Sequence, residues 1–356
     1  MKILIVKVSA LGDVVHALPV LAYIRAAEPA AEVDWLVEEG FAPLLQGHPL
    51  LRAVLPLQTR RWRKLPPPAL AREFFAFVRR LRAERYDLVL DLQGNSKSGL
   101  VTLLARATAK YGYDRRAVRE WPNLLATRQR VSLGAADYHV GQRALALVRA
   151  ALPAAVQVAC AGPLPVADQA RREVADQLRQ LGLPAGRHLI VCHYGTTWRT
   201  KLWALEHWQT LVAQLAARPD AVPLLTWGNA EEQQAAAAIA AQAPGALLWP
   251  RGSLPQLVAL LAVADLVVGG DTGPVHIAAA VGTPTVSLYR VTDARRNGPL
   301  GREHRCLQVP LACAACLRKD CPQQQVCASA IAPATVLAAI DDLLPETGQP
   351  PKEKSL

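Results

Sequence analysis

The chain has 356 residues, of which 51% are apolar and only 5% aromatic, and its 40 Lys and Arg against 29 Asp and Glu leave a net charge of +11. That length is too great for one ordinary core, so two domains of similar size are expected, with Ala/Leu-packed helices in both. The charge favours acidic partners without choosing among nucleic acid, anionic lipid and phosphorylated substrate, while the absence of any long uninterrupted apolar segment excludes a bilayer-spanning helix.

Ile3, Leu4, Ile5 and Val6 run without alternation and read as a buried central strand. A lysine before that run superficially resembles a signal peptide, but Lys7 and Asp13 interrupt it, so a cytoplasmic protein is expected, one within reach of a membrane surface. Ser9 to Asp13 is then a turn, and a helix is predicted from about Val14 to Ala27 with Pro19 as a local strain. Strands follow at 32 to 37 and 54 to 57, an arginine-rich helix at about 69 to 84, and a strand at 88 to 92 that ends in Gln93-Gly94-Asn95. The repeat of strand and helix argues a parallel sheet covered on both faces.

Pro153, Pro163 and Pro165 mark 152 to 167 as a linker, giving domains at 1–155 and 168–345, with a polar tail at 346–356 expected to be disordered. The pattern restarts with strands at about 188 to 192, 222 to 227, 246 to 248, 265 to 268 and 285 to 289. Both halves are therefore expected to be doubly wound α/β domains, whose ligands bind beyond the carboxyl ends of the strands. Four polar turns become candidates: Ser9 to Asp13, Gln93 to Lys97, His193 to Lys201 and Gly269 to Gly273.

The last of these has the fullest local signature. A short apolar strand stops at Gly269-Gly270, and a short helix follows that Gly282 and Pro284 end. Asp271 or Thr272 can cap its free amides, and Pro274 suits its first position. Strand, glycine turn and helix N-terminus together offer a phosphate site, although most such turns bind nothing. His276, one turn in, either faces a ligand or packs under the sheet. The loop His-Tyr-Gly-Thr-Thr-Trp-Arg-Thr-Lys (193 to 201) combines hydroxyls, Thr196 and Thr197, with cations, Arg199 and Lys201, suited to a diphosphate; loop residues of these types are also commonly just solvated. Glu231 and Glu232, after Trp227-Gly228, can grip ribose or sugar hydroxyls.

Asp13 follows Gly12 at a strand end, either complementing a helix dipole or acting as a general base. Arg60-Arg61-Trp62-Arg63-Lys64, followed by three prolines, is either a solvated face or a loop that docks on a phosphorylated or membrane-bound acceptor. Five of the seven cysteines lie between 306 and 327. Cys313, Cys316, Cys321 and Cys327 are spaced x2, x4 and x5, which fits neither a secreted disulfide framework nor a standard metal pattern cleanly; reduced structural thiols and a metal site both stay open.

Taken together, Lys-Val-Ser-Ala-Leu-Gly-Asp-Val-Val-His-Ala-Leu-Pro (7 to 19), Asp-Leu-Gln-Gly (91 to 94), His-Tyr-Gly-Thr-Thr with Lys201, Trp227-Gly228 and Gly-Asp-Thr-Gly-Pro-Val-His-Ile-Ala-Ala (270 to 279) resemble the heptosyltransferase family of bacterial lipopolysaccharide synthesis, glycosyltransferase family 9. The resemblance implies a GT-B fold, two Rossmann-like domains with an interdomain cleft, and a metal-independent, cofactor-free, inverting transfer of heptose from ADP-L-glycero-D-manno-heptose. It implies Asp13 as base, Lys201 as its catalytic partner at the leaving group, and Thr196, Thr197, Glu232, Asp271, Thr272, Gly273 and His276 around the donor. Asp34 to Phe41, Arg60 to Lys64 and Ala117 to Glu120 are most like the acceptor side of the family's type I branch, which acts on the Kdo region of the inner core. Kdo-lipid A is then the acceptor, with Arg60, Arg61, Arg63, Lys64 and Arg119 as its contacts, in a monomer with no nucleic-acid partner.

Three other readings stand beside it. A type II or III transferase uses the same donor on another core sugar, and a UDP-sugar epimerase shares the architecture. A nucleic-acid-binding protein rests on net charge alone.

Overall fold

The computed structural model describes residues 1–344, and the tail expected at 346–356 lies outside the described residues. The chain divides into two units, one of Met1–Pro163 and one beginning at Leu164.

The first unit holds six strands, β1 (Lys2–Val6), β2 (Glu32–Glu38), β3 (Ala53–Leu57), β4 (Tyr86–Asp91), β5 (Ala107–Tyr113) and β6 (Gln129–Val131). They form one sheet in the order β3-β2-β1-β4-β5-β6, parallel throughout. Ile3 to Val6 are completely buried, as the unbroken apolar run of a strand covered on both faces requires. The second unit repeats the plan with β7 (His188–His193), β8 (Ala221–Thr226), β9 (Leu247–Leu248), β10 (Leu266–Gly270), β11 (Thr285–Tyr289) and β12 (His304–Gln308), ordered β12-β11-β10-β7-β8-β9 and also parallel. Counted from its own first strand, each sheet has the same doubly wound order. In the second unit Trp208, Leu211, Val212 and Leu215 stripe one face of the helix Leu205–Ala216 and pack with Ile190, Leu225, Val268 and Val286 of the sheet, the spacing of an amphipathic helix on a core.

Each order has one place where the chain leaves two adjacent strands toward opposite sides: β1 beside β4, and β7 beside β10. Val6 lies opposite Asp91, and Gly269 opposite His193. The polar turns expected to carry the chemistry begin there.

Several elements differ from expectation. The single helix expected from Val14 to Ala27 is two, Leu11–His16 and Pro19–Ala27. Pro19 has no N–H to give to an earlier carbonyl, so it opens a new helix rather than straining an old one. The first helix also starts earlier than expected, which places Asp13 inside its first turn. β5, β6 and β12 were not anticipated: Lys110 and Gly112 interrupt the apolar pattern of β5, and β6 and β12 are short and polar strands at sheet edges, where little burial is demanded.

Candidate active site

At the carboxyl edge of the first sheet, a buried network fixes the turn that carries Asp13. Gln93 Oε1 accepts from the amides of Val8 and Ser9, both at 3.1 Å, tying the exit of β1 to the exit of β4. Asp91 is fully buried and accepts from the amides of Gln93 (3.0 Å) and Gly94 (2.9 Å), from Asn123 Nδ2 (2.6 Å) and from Thr102 Oγ1 (3.1 Å). Burial pushes its carboxyl above the usual range despite these donors. Lys7 is buried too, and its Nζ donates to the Leu92 carbonyl at 3.1 Å. Burial lowers its ammonium below the ordinary lysine range; Asp13 and Asp91 oppose that, and Arg119 and Arg143 add to it.

Asp13 itself is half-buried, and its Oδ2 accepts from the Ala10 amide at 3.4 Å. One oxygen is thus engaged by the helix it opens, as the dipole reading expected. The buried Lys7 ammonium lies near enough to feel the carboxylate's charge. Arg143, which the sequence did not single out, donates through Nη2 to the Ala117 carbonyl at 2.7 Å, and its guanidinium lies 5.4 Å from the Tyr113 ring centre.

The expected acceptor cations are exposed, and Arg119 is linked to this edge by its amide, 3.0 Å from the Gly94 carbonyl. Arg60 donates its amide to Glu38 Oε1 at 3.2 Å, whereas Arg61 pairs with Glu73 at 2.7 Å. Trp62 is not a docking side chain. It turns inward onto Phe74 and Phe77, with ring centres 5.9 Å and 5.5 Å away, because the short helix Thr59–Trp62 lies back on the long helix Pro67–Ala83.

At the carboxyl edge of the second sheet, the donor candidates converge. Lys201 Nζ is 2.7 Å from Asp271 Oδ2 and 3.2 Å from the Asp271 carbonyl, joining loops that are 70 residues apart. His276 Nε2 lies 3.1 Å from the other carboxylate oxygen, Oδ1. Burial raises the Asp271 carboxyl, but the hydrogen bond and charge of His276 and the ammonium of Lys201 more than reverse this and hold it far below the usual carboxylate range. Neither Asp271 nor Thr272 caps the following helix, Gly273–Ala280, through its side chain, contrary to expectation. Asp271 is committed to the Lys201 ammonium and the His276 ring instead, and Pro274 sits at the second helical position. His276 is buried against Asp271. The first-turn amides have no intrahelical acceptor and face outward with the helix's positive end.

Around this pair, Thr196 Oγ1 is buried with no hydrogen-bond partner among the described residues, a cost of about 1–3 kcal/mol that a ligand oxygen would relieve. Thr197 is exposed. Glu232, third in the helix Ala230–Ala241, accepts from the Gly228 amide at 2.7 Å, and its carboxylate lies so close over Gly195 that a Cβ there would overlap it. Gly269 is required in the same way, since a Cβ would sit 2.8 Å from Val275 Cγ2. Two ammonium groups approach the Trp198 ring, Lys201 at 5.2 Å and Lys319 at 5.1 Å from its centre.

A buried side chain of the second unit, Arg290, escaped sequence reasoning. Arg290, 2% exposed, donates to the carbonyls of Leu202 and Gln324 and lies 3.4 Å from Cys327 Sγ. Cys313, Cys316, Cys321 and Cys327 line one cavity of about 280 Å³ beside it. All seven cysteines are free thiols, and among the described residues no group of three or more His, Cys, Asp or Glu side chains is placed to hold a metal ion.

Two doubly wound units, each with its polar turns at the carboxyl edge of its sheet, give the GT-B architecture. The sequence model of glycosyltransferase family 9 (heptosyltransferase) matches residues 74–327. A lipopolysaccharide heptosyltransferase 1 of Pseudomonas aeruginosa is 38% identical over 91% of this chain and 88% of its own length. The E. coli heptosyltransferase WaaC with ADP superposes with a TM-score of 0.78 at 30% identity, covering 97% of this chain and all of that one, and its structure with ADP-2-deoxy-2-fluoro heptose gives 0.76 over the same shares. The chain belongs to glycosyltransferase family 9 (heptosyltransferase) and is a glycosyltransferase. That membership removes the epimerase and nucleic-acid readings.

Proposed function

We propose that this enzyme transfers heptose from ADP-L-glycero-D-manno-heptose to the Kdo region of the lipopolysaccharide inner core, with inversion at the sugar carbon. Lys201, the amides of Thr272 and Gly273 and the hydroxyls of Thr196 and Thr197 hold the diphosphate. Glu232 takes sugar or ribose hydroxyls, while Asp271 and His276 act as positioning residues that aim Lys201. Asp13 removes the proton from the acceptor hydroxyl as its oxygen forms the new bond to the anomeric carbon. The bond from that carbon to the diphosphate breaks, and ADP leaves with the electron pair, its growing charge met by Lys201 and the helix end. Arg60, Arg61, Arg63, Lys64 and Arg119 bind carboxylates and phosphates of Kdo-lipid A, with the enzyme working as a monomer at the cytoplasmic face of the inner membrane.

The observation that carries this reading is the orphaned Thr196 hydroxyl in the same loop as Lys201, whose ammonium is held at the turn that opens the helix Gly273–Ala280. Such a group is built for a diphosphate, and the similar WaaC structures contain ADP and an ADP-heptose analogue. The acceptor assignment is supported by the relatives named lipopolysaccharide heptosyltransferase 1, at 38% and 35% identity. Asp13→Asn is expected to lower turnover by at least about 100-fold, the usual scale of a lost general base, with ADP affinity within twofold of wild type. Turnover within a factor of three of wild type removes Asp13 from the mechanism.

A further inference from the structure

The first unit carries an apolar surface that its own fold leaves uncovered. Leu100 and Leu103 of the helix Ser96–Leu104 are 49% and 55% exposed, and Trp121 and Leu125 of the short turn Trp121–Leu125 are 70% and 75% exposed. The two elements are locked together by Asn123, whose Nδ2 donates to the Asn95 carbonyl at 3.0 Å and lies 3.2 Å from Ser98 Oγ. The four side chains therefore stand on two elements joined directly to each other. A cluster of this size, including a tryptophan, is unusual on a protein that meets only water.

Its edge is cationic. Lys110 Nζ donates to the carbonyl of Leu103 at 2.9 Å, and Arg130 Nη2 to the carbonyl of Leu124 at 3.0 Å, so each charge is fixed to the backbone of an apolar element. Arg128 and Arg82 stand near enough to Lys110 that, after burial, their charges push its ammonium lower. Among the described residues none of these four cations has a carboxylate partner within ion-pair distance. Like charges held together without counter-ions call for an anionic surface opposite them.

We propose that the helix Ser96–Leu104 and the turn Trp121–Leu125 form a docking face for an anionic phospholipid bilayer, on which Leu100, Leu103, Trp121 and Leu125 enter the interface and Lys110, Arg128 and Arg130 meet lipid phosphates. The inference extends the membrane-bound acceptor proposed above. Large apolar side chains ringed by lysine and arginine, with a tryptophan at the headgroup level, are what interfacial binding requires. Among the described residues no helix is long and apolar enough to cross a membrane, so this face lies on the surface rather than through it. A second copy of the chain fits worse, because a two-fold interface would bring the cationic rim of one copy near that of the other.

The test is sedimentation of the full-length protein with vesicles of phosphatidylglycerol and phosphatidylcholine, and with phosphatidylcholine alone, at low and high salt. Wild type is expected on the anionic vesicles, with binding that weakens as salt rises. L103S/L125S is expected to lose at least tenfold in partition at every salt concentration. R128Q/R130Q is expected to lose a similar factor on anionic vesicles at low salt only. L317S/V326S, which removes exposed apolar side chains of the second unit, is expected to bind like wild type. Circular dichroism and Tm certify each fold, and L100S/W121S replaces the first pair if it does not fold. Wild-type binding that ignores lipid charge, or apolar variants that bind like wild type, overturns the proposal. A wild-type dimer that L103S/L125S makes monomeric without altering vesicle binding also overturns it and assigns the face to a second copy. No sugar substrate enters these measurements, so they succeed or fail independently of the transfer reaction.

Discussion

Replacing Lys201 by methionine separates its two roles. The Lys201 and Asp271 side chains are only 15% and 6% exposed and meet at 2.7 Å. Removing the cation leaves a buried carboxylate supported by His276 alone. Breaking a buried pair costs about 3–5 kcal/mol when nothing replaces the lost partner. With His276 still 3.1 Å from Oδ1, we expect the low end or below, about 2 kcal/mol. For a unit of this size that corresponds to a Tm lowered by roughly 4–8 °C. K201M/D271N removes the stranded charge as well and is expected to recover about half of that loss, as coupled neighbours do. Turnover is expected to behave otherwise. Loss of a cation at the leaving group costs on the order of 100-fold or more, and neutralising Asp271 restores none of it. Calorimetry and an ADP-release assay on the three variants provide both readouts. A double variant less stable than K201M, or one that regains wild-type turnover, refutes the reasoning that Asp271 aims Lys201.

Three further outcomes follow from single contacts. Burial lowers His193 from 6.5 to about 4, so its neutral form stabilises the fold fully above pH 6.5 and that contribution is lost as pH falls toward 4. Urea unfolding of wild type at pH 7 and at pH 4.5 is expected to differ by about 2–3 kcal/mol more than for His193→Gln, and equal differences would show that His193 is not held neutral. Gly195→Ala forces Glu232 off the Gly228 amide and is expected to weaken ADP-heptose affinity by about tenfold, roughly one lost charge-assisted hydrogen bond, while leaving acceptor KM unchanged; titration calorimetry checks it, and wild-type affinity would place Glu232 outside the donor site. R60A/R61A/R63A is expected to raise acceptor KM by about tenfold or more and spare ADP binding; the opposite pattern in steady-state kinetics returns these residues to a solvated face.

The sequence made the sheets legible wherever a strand is covered on both faces, because Ile3 to Val6 or Leu266 to Val268 must then be continuously apolar. It did not reveal β5 or β12, since partly exposed strands tolerate Lys110 and Arg305. The polar turns at the strand ends were readable by position, which is why Asp13, Thr196 and Lys201 were singled out as candidates. What each side chain does there was less readable. Asp271 has the composition of a helix cap, and only the approach of Lys201 from 70 residues away turns it into an ion-pair partner. Lys7 and Arg143 were missed because a lysine in a strand and an arginine in a helix carry no local sign of being near Asp13. Trp62 looked exposed amid arginines and prolines, but Phe74 and Phe77, a helix away, provide it with a packing surface.

Sugar transfer to a defined acceptor is read most directly in the mass of that acceptor. Purified enzyme with ADP-heptose should add one heptose to Kdo-lipid A and none to Kdo-lipid A that already carries a heptose. Mass gained only on the heptosylated acceptor would contradict the type I assignment, and mass gained on neither would contradict the proposed substrates altogether.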